Sequence, residues 1–184
     1  FQEYHQQGFQ SEPSACIDLY QGDVYKSLDV STLTNEDLAY IKDNLRIISA
    51  FYGVLSPMEG IWPYRLEMIT KIPGIRSLAS FWQASAVEEL EGSDIIFNLA
   101  SNAYSETVLP LKDKRWIDIV FQDQDAKGGY RIIAVKAKRM RGMLLRYMVK
   151  HRIKTPEKLL GYEENGYAFC EEESSPNKLV FRSV

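Results

Sequence analysis

Cysteine and histidine are scarce in this chain of 184 residues, with two of each. Cys16 and Cys170 lie far apart, no CxxC occurs, and neither His5 nor His151 has zinc-site spacing. Nothing here reads as a disulfide framework or a Cys/His metal centre, and two reduced thiols in a cytoplasmic protein are the expectation. A carboxylate-rich iron site has no supporting spacing, so no metal and no cofactor is expected. Long hydrophobic runs are missing too. No stretch reaches the roughly 18 apolar residues of a membrane span, and no secretory leader is visible. No Walker loop and no dinucleotide fingerprint appears. A Ser/His/Asp triad has no histidine to build on, because His5 falls in a polar lead-in over residues 1–14 and His151 in a cationic run.

Other quantities are ordinary. Hydrophobic residues make up 45% and charged residues 26%, enough for a sizeable core and the pattern of one globular domain over 1–184. Charge is where the chain departs from the ordinary. Its net charge is −3, yet Lys136 to Lys158 holds nine cations and a single acid, Glu157. A basic element on an acidic protein is a candidate anion-binding surface, and nucleic acid is the first anion to consider.

Helical phase sharpens that reading. At about 100° per residue, Arg139, Arg146 and Lys150 form one ridge, with Gly142 beside it leaving the backbone open to close approach. Met140, Met143, Leu144, Tyr147 and Met148 fill one flank, and Leu145 and Val149 the other. The pattern predicts a helix starting near Lys138, packed on both sides, its basic seam opening into a cleft. Carboxylates from elsewhere in the chain are the competing explanation for such a seam.

The rest of the chain reads as mixed elements. Thr34 and Asp37 form a capping box before a helix of about three turns, with Leu38, Ile41, Leu45 and Ile48 as its apolar face. Pro63–Met68 alternates like a strand, with Arg65 and Glu67 on one face and Tyr64 on the other. Leu78–Leu90 reads as a helix. Ile95–Ala100 is a short apolar run that fits a central buried strand. Trp116–Phe121 and Tyr130–Ala137 flank a glycine-containing loop as a hairpin, and Tyr167–Cys170 with Leu179–Phe181 form a second one. Thr155-Pro156 opens a short helix that Gly161 stops. The order predicts an α/β (mixed α+β) fold, a single domain with a mixed central sheet flanked by helices.

Several groups suit a site. Arg65 and Glu67 serve either as an ion pair on a sheet face or as lining of a ligand site, Arg65 on an anion and Glu67 as base or acid. Asn98, Ser101, Asn102 and Tyr104 gather at the end of the candidate strand, where α/β proteins bind ligands; a strand end capped by small polar residues is the plainer reading. Asp23 after Gly22 caps a helix or pairs with the basic seam.

The chain carries Gln21–Tyr25, Tyr52–Leu55, Pro63–Met68, Phe81-Trp82, Asn98–Ser101 with Tyr104, Lys136–Met143 and Gly166–Phe169 in one order. With these words, from about residue 20 onward, it resembles the YaaA family of bacterial peroxide-stress proteins. The resemblance implies a fold of the family's own mixed α/β kind in a cytoplasmic protein. It also implies a role in surviving hydrogen peroxide by limiting free iron and oxidative damage, with DNA bound in a basic cleft. The family's opening Ser-Pro-Ala-Lys strand and following helical stretch are expected to precede Phe1. Ala103 stands where family members often carry an acid. The nearest candidate for the family's helix-hairpin-helix element, Arg146–Gly161, lacks its glycine-hydrophobic-glycine turn, so the motif is not assigned.

Two functions follow. In the first, Lys136, Lys138, Arg139, Arg141, Arg146 and Lys150 bind duplex or branched DNA. The alternative is an enzyme acting on a nucleotide or nucleic-acid base. Glu67 and Tyr104 are then the catalytic candidates, with Arg65, Asn98 and Ser101 lining the pocket and Lys138 beside them. No membrane association and no protein partner is inferred.

Overall fold

The computed structural model describes residues 12–113 and 116–184, the side chain of Asp113 excepted. The lead-in over 1–14 lies outside these residues up to residue 11. Helices are α1 (Cys16–Leu19), α2 (Asp23–Leu28), α3 (Asn35–Asn44), α4 (Leu78–Leu90), α5 (Asn102–Ser105) and α6 (Ala134–Lys150). Strands are β1 (Ser14–Ala15), β2 (Ile47–Ser49), β3 (Gly53–Leu55), β4 (Gly60–Ile61), β5 (Ile96–Asn98), β6 (Trp116–Gln124), β7 (Tyr130–Arg131), β8 (Glu163–Glu164), β9 (Tyr167–Phe169) and β10 (Lys178–Ser183). The fold is mixed α/β. Its contacts gather into two compact units. Of the described residues, one holds Leu38–Ser93 and Ala100–Lys112 with residues 12–20; the other holds Gln21–Asp37, Asp94–Leu99 and those from 113 to 184.

The second unit is built on a mixed sheet of order β5-β6-β10-β9-β8, with β7 paired to the end of β6. β5, β6 and β10 run parallel, with Asn98 beside Asp118 and Phe121 beside Phe181. β9 pairs antiparallel with both β10 and β8. Alternation along β6 sends Ile117, Ile119 and Phe121 inward, where they meet Met140, Leu144 and Met148 of α6 and Leu179 and Phe181 of β10. Both expected hairpins form. In the first, β7 is only two residues long, because α6 begins at Ala134, earlier than Lys138. β5 also departs from expectation: it is the edge strand of the sheet as described and only half-buried. A continuous apolar run looks alike in a central strand and in an edge strand covered on its faces, so periodicity does not separate them.

The first unit is smaller-boned. The antiparallel pairs β2–β3 and β1–β4 were not legible, since strands of two or three residues carry no measurable period. α4 spans the expected residues; Ser77 starts it by accepting the Ser80 N–H at 3.0 Å. Trp82 on this helix lies against Gly53, whose φ of 80° and lack of a Cβ both suit the approach. Ala50, Met68, Leu78 and Ala79 are buried together, with Leu66 and Tyr104 packed on them.

Pro63–Met68 is not a strand. Residues 62–67 are irregular and Met68 enters a turn; Pro63 has no N–H to give a ladder. Here Tyr64 is fixed by its hydroxyl, 3.0 Å from Tyr20 Oη and 2.7 Å from Ser49 Oγ.

The capping box of α3 forms in both directions. The Thr34 N–H donates to Asp37 Oδ2 at 3.0 Å and the Asp37 N–H to Thr34 Oγ1 at 3.3 Å. The helix is shorter than its apolar pattern, and Ile48 belongs to β2.

Candidate anion-binding helix

α6 has the two packed flanks its sequence predicts. Ala137, Met140, Leu144 and Met148 are buried in the sheet core, and Leu145 and Val149 are buried on the other flank. Gly142 is approached closely, by protein. A Cβ added there would stand 2.1 Å from the Val24 carbonyl oxygen and 2.8 Å from Ser27 Cβ. α2 therefore lies backbone-close on the helix. Arg139, Met143 and Arg146 line an open depression of about 430 Å³ with Asp23, Lys26, Ser27 and Asp29 of the α2 segment.

The seam cations divide into two groups. Arg146 donates to the carbonyls of Leu28, at 2.7 Å, and Asp29, at 3.1 Å. Asp29 ends α2 with φ 51°, which turns these carbonyls to the guanidinium, a favourable cation position at a helix C-terminus. Lys150 pairs with Asp37, which Arg152 also reaches at 2.8 Å. Asp37 is buried. Hydrogen bonding from Lys150, then from the Thr34 N–H, then from Arg152, holds its carboxyl well below the usual range. Lys136 pairs with buried Asp123 at 2.6 Å, and the Tyr167 hydroxyl donates to the same oxygen at 2.8 Å. Burial first, and Asp123 second, push the Tyr167 phenol up.

Lys138 and Arg139 are exposed and have no ion pair among the described residues. Arg141 is half-buried, and its Nε has no hydrogen-bond partner among the described residues. Burial lowers its pKa, with Asp118 acting against that. Asp118 Oδ1 accepts from Asn98 Nδ2 and from Trp116 Nε1, both at 2.8 Å. Asn98 thus stands at the end of β5, tied to the neighbouring strand.

The remaining candidates belong to the other unit. Arg65 and Glu67 are exposed on the irregular segment, and Tyr104 is half-buried in α5. Burial raises the Tyr104 phenol; the Met68 N–H works against this, and Tyr64 and Glu67 add to it. Ser101 caps α5 through its carbonyl, which accepts the Tyr104 and Ser105 N–H groups at 2.9 Å each. Glu67 and Tyr104 therefore share a neighbourhood in one unit, while Asn98 and Lys138 stand in the other. Among the described residues, no three His, Cys, Asp or Glu side chains are grouped to hold a metal ion, and no helix is long and apolar enough to cross a membrane.

Two important residues were not singled out from the sequence as partners of the seam: Asp37, read only as a cap, and Asp123. A signal for Asp123 existed. It continues the inward register Ile117, Ile119, Phe121, and a carboxylate in that register needs a partner.

Residues 1–173 match the family described as peroxide stress protein YaaA. UPF0246 protein RSc2009 of Ralstonia nicotianae (strain ATCC BAA-1114 / GMI1000) is 42% identical over 173 residues, a match taking in 89% of this chain and 66% of the relative. The chain thus spans just under two thirds of that curated relative's length. Family match and shared identity agree with the seven sequence words set on this fold: the chain belongs to the YaaA family of peroxide stress proteins.

Proposed function

We propose that the chain works in the bacterial cytoplasm to protect against hydrogen peroxide, keeping free iron and oxidative damage low, and that it holds duplex or branched DNA through α6. Family membership supports the peroxide role. The observation that carries the DNA reading is the division of the seam. Resident oxygens engage Lys136, Arg146 and Lys150, whereas Lys138 and Arg139 project from the same helix with no carboxylate partner among the described residues. Two exposed cations one residue apart suit phosphate contacts, which position a protein on DNA without reading sequence.

In bacteria made peroxide-sensitive by loss of their own family member, the full-length family protein restores survival and lowers chelatable iron measured by electron paramagnetic resonance. The same protein with Lys138→Ala and Arg139→Ala restores markedly less survival. Equal rescue by the double variant removes DNA contact by these cations from the account, and unchanged iron removes iron limitation.

A second reading makes Glu67 and Tyr104, which belong to one unit and of which Glu67 adds to the raising of the Tyr104 phenol, an acid-base pair acting on a nucleotide or base. Full rescue by Glu67→Gln rejects it.

A further inference from the structure

Large apolar side chains at a protein surface are ordinary when scattered singly. At the N-terminal end of α6 two of them stand near each other in the chain, Ile132 at 58% and Val135 at 62% exposure. Ile132 comes just before Ile133, the residue at the helix cap, and Val135 lies in the first turn. Cations flank this pair. Arg131 precedes Ile132 directly. Lys138 and Arg139 follow Val135 at the i+3 and i+4 positions, so the three share one strip of helix surface. Arg131, Lys138 and Arg139 are exposed, and none has an ion pair among the described residues. The first turn of α6 carries no acid and its cap makes no side-chain hydrogen bond, so the positive end of the helix dipole adds to the same field. A merely solvated cationic face would carry polar residues between its charges. This one carries bare branched aliphatic groups.

We propose that Ile132 and Val135 form a wedge that enters the minor groove of DNA, opens a base step and kinks the duplex. The inference rests on the nucleic-acid reading above and names what that surface does to its DNA. Apolar side chains inserted between base pairs partly unstack them and bend the duplex by about 20–90°. Arg131, Lys138 and Arg139 then hold the phosphates beside the opened step, where phosphate contacts position the protein. An apolar protein partner would cover Ile132 and Val135 but leave those three cations without oxygens; a duplex offers an apolar base stack and phosphates together. Unstacking costs free energy. DNA whose stacking is already interrupted, by a mismatch or a branch, is therefore the preferred form.

The test uses the purified chain and a duplex of about 30 base pairs, well below the persistence length and so nearly straight when free. A fluorophore pair on the two ends reports bending by energy transfer, and anisotropy on the same samples reports binding. Saturating wild-type protein is expected to raise the transfer, and to bind a duplex with one central mismatch about tenfold more tightly than the intact one. Ile132→Ser/Val135→Ser leaves the cations in place. It is expected to bind with an unchanged salt slope, to leave the transfer at the free-duplex value and to show no preference for the mismatch. Both positions are exposed, so its urea midpoint is expected to match wild type. The readouts separate the failures. Wild-type binding without a rise in transfer rejects the wedge and leaves phosphate contact standing, whereas absence of binding rejects both. A double serine variant that bends DNA like wild type overturns the proposal. So does light scattering that finds wild type dimeric and the variant monomeric, which would assign the patch to a second copy of the chain.

Discussion

Asp37 shows how much one buried carboxylate can organise. It completes the cap of α3 and binds both Lys150 and Arg152, so its charge is satisfied from three directions. Replacing it with Asn leaves an oxygen for the Thr34 N–H but removes the charge the two cations face. Breaking a fully buried pair costs about 3–5 kcal/mol. Lys150 and Arg152 are 36% and 41% exposed and regain solvation, so Asp37→Asn is expected to cost about 2 kcal/mol at pH 7. The sign of the pH dependence follows from the depressed folded pKa. The contribution is fully present above the unfolded carboxyl value of about 3.9 and is lost as pH falls through the lower folded value. Urea unfolding at several pH values should therefore show wild type and variant converging below about pH 4. A gap that stays constant down to pH 2 would mean the charge is not what Asp37 contributes.

At the level of elements, the contact between α2 and α6 is set by an absent side chain. Gly→Ala in an exposed helix gains up to about 1 kcal/mol. At Gly142 the new methyl would meet the Val24 carbonyl at 2.1 Å, backbone that has no rotamer to yield. Gly142→Ala is expected to destabilise by about 3 kcal/mol, read as a lower urea midpoint at unchanged slope; a rise in midpoint would show that α2 is not held against this face. The helical period placed Gly142 beside the seam, and close approach was expected there, but the approaching group is helix backbone. Elements with long periods or strong punctuation were legible in this way: α4 from Leu78 to Leu90, the Thr34–Asp37 box, both hairpins, and the two packed flanks of α6. Short pairs such as β2–β3 were not, because register there comes from tertiary contacts. Pro63–Met68 imitated a strand by alternating side chains without a ladder to join. The same limit applied to the candidate site. Cations cluster visibly within one helix, whereas Asp37 and Asp123 reach them from α3 and β6, and pairings at that sequence separation leave no local mark.

On the scale of the whole molecule, an acidic chain carries a basic helix, and the charges on that helix are partly spent on holding the fold. Lys136, Arg146 and Lys150 join α6 to β6, α2 and α3. What remains for a partner is a smaller set, chiefly Lys138 and Arg139, so DNA binding is expected to be modest in affinity and carried by few phosphate contacts. The salt dependence of that binding counts those contacts, because each neutralised phosphate contributes about 0.9 to the slope of log K against log salt. The decisive measurement is a fluorescence-anisotropy titration of duplex DNA over a range of salt concentrations, with wild type and the Lys138→Ala/Arg139→Ala double variant. The variant is expected to bind more weakly at every salt, with a slope flatter by about 2; superimposable curves for the two proteins would contradict DNA contact by Lys138 and Arg139.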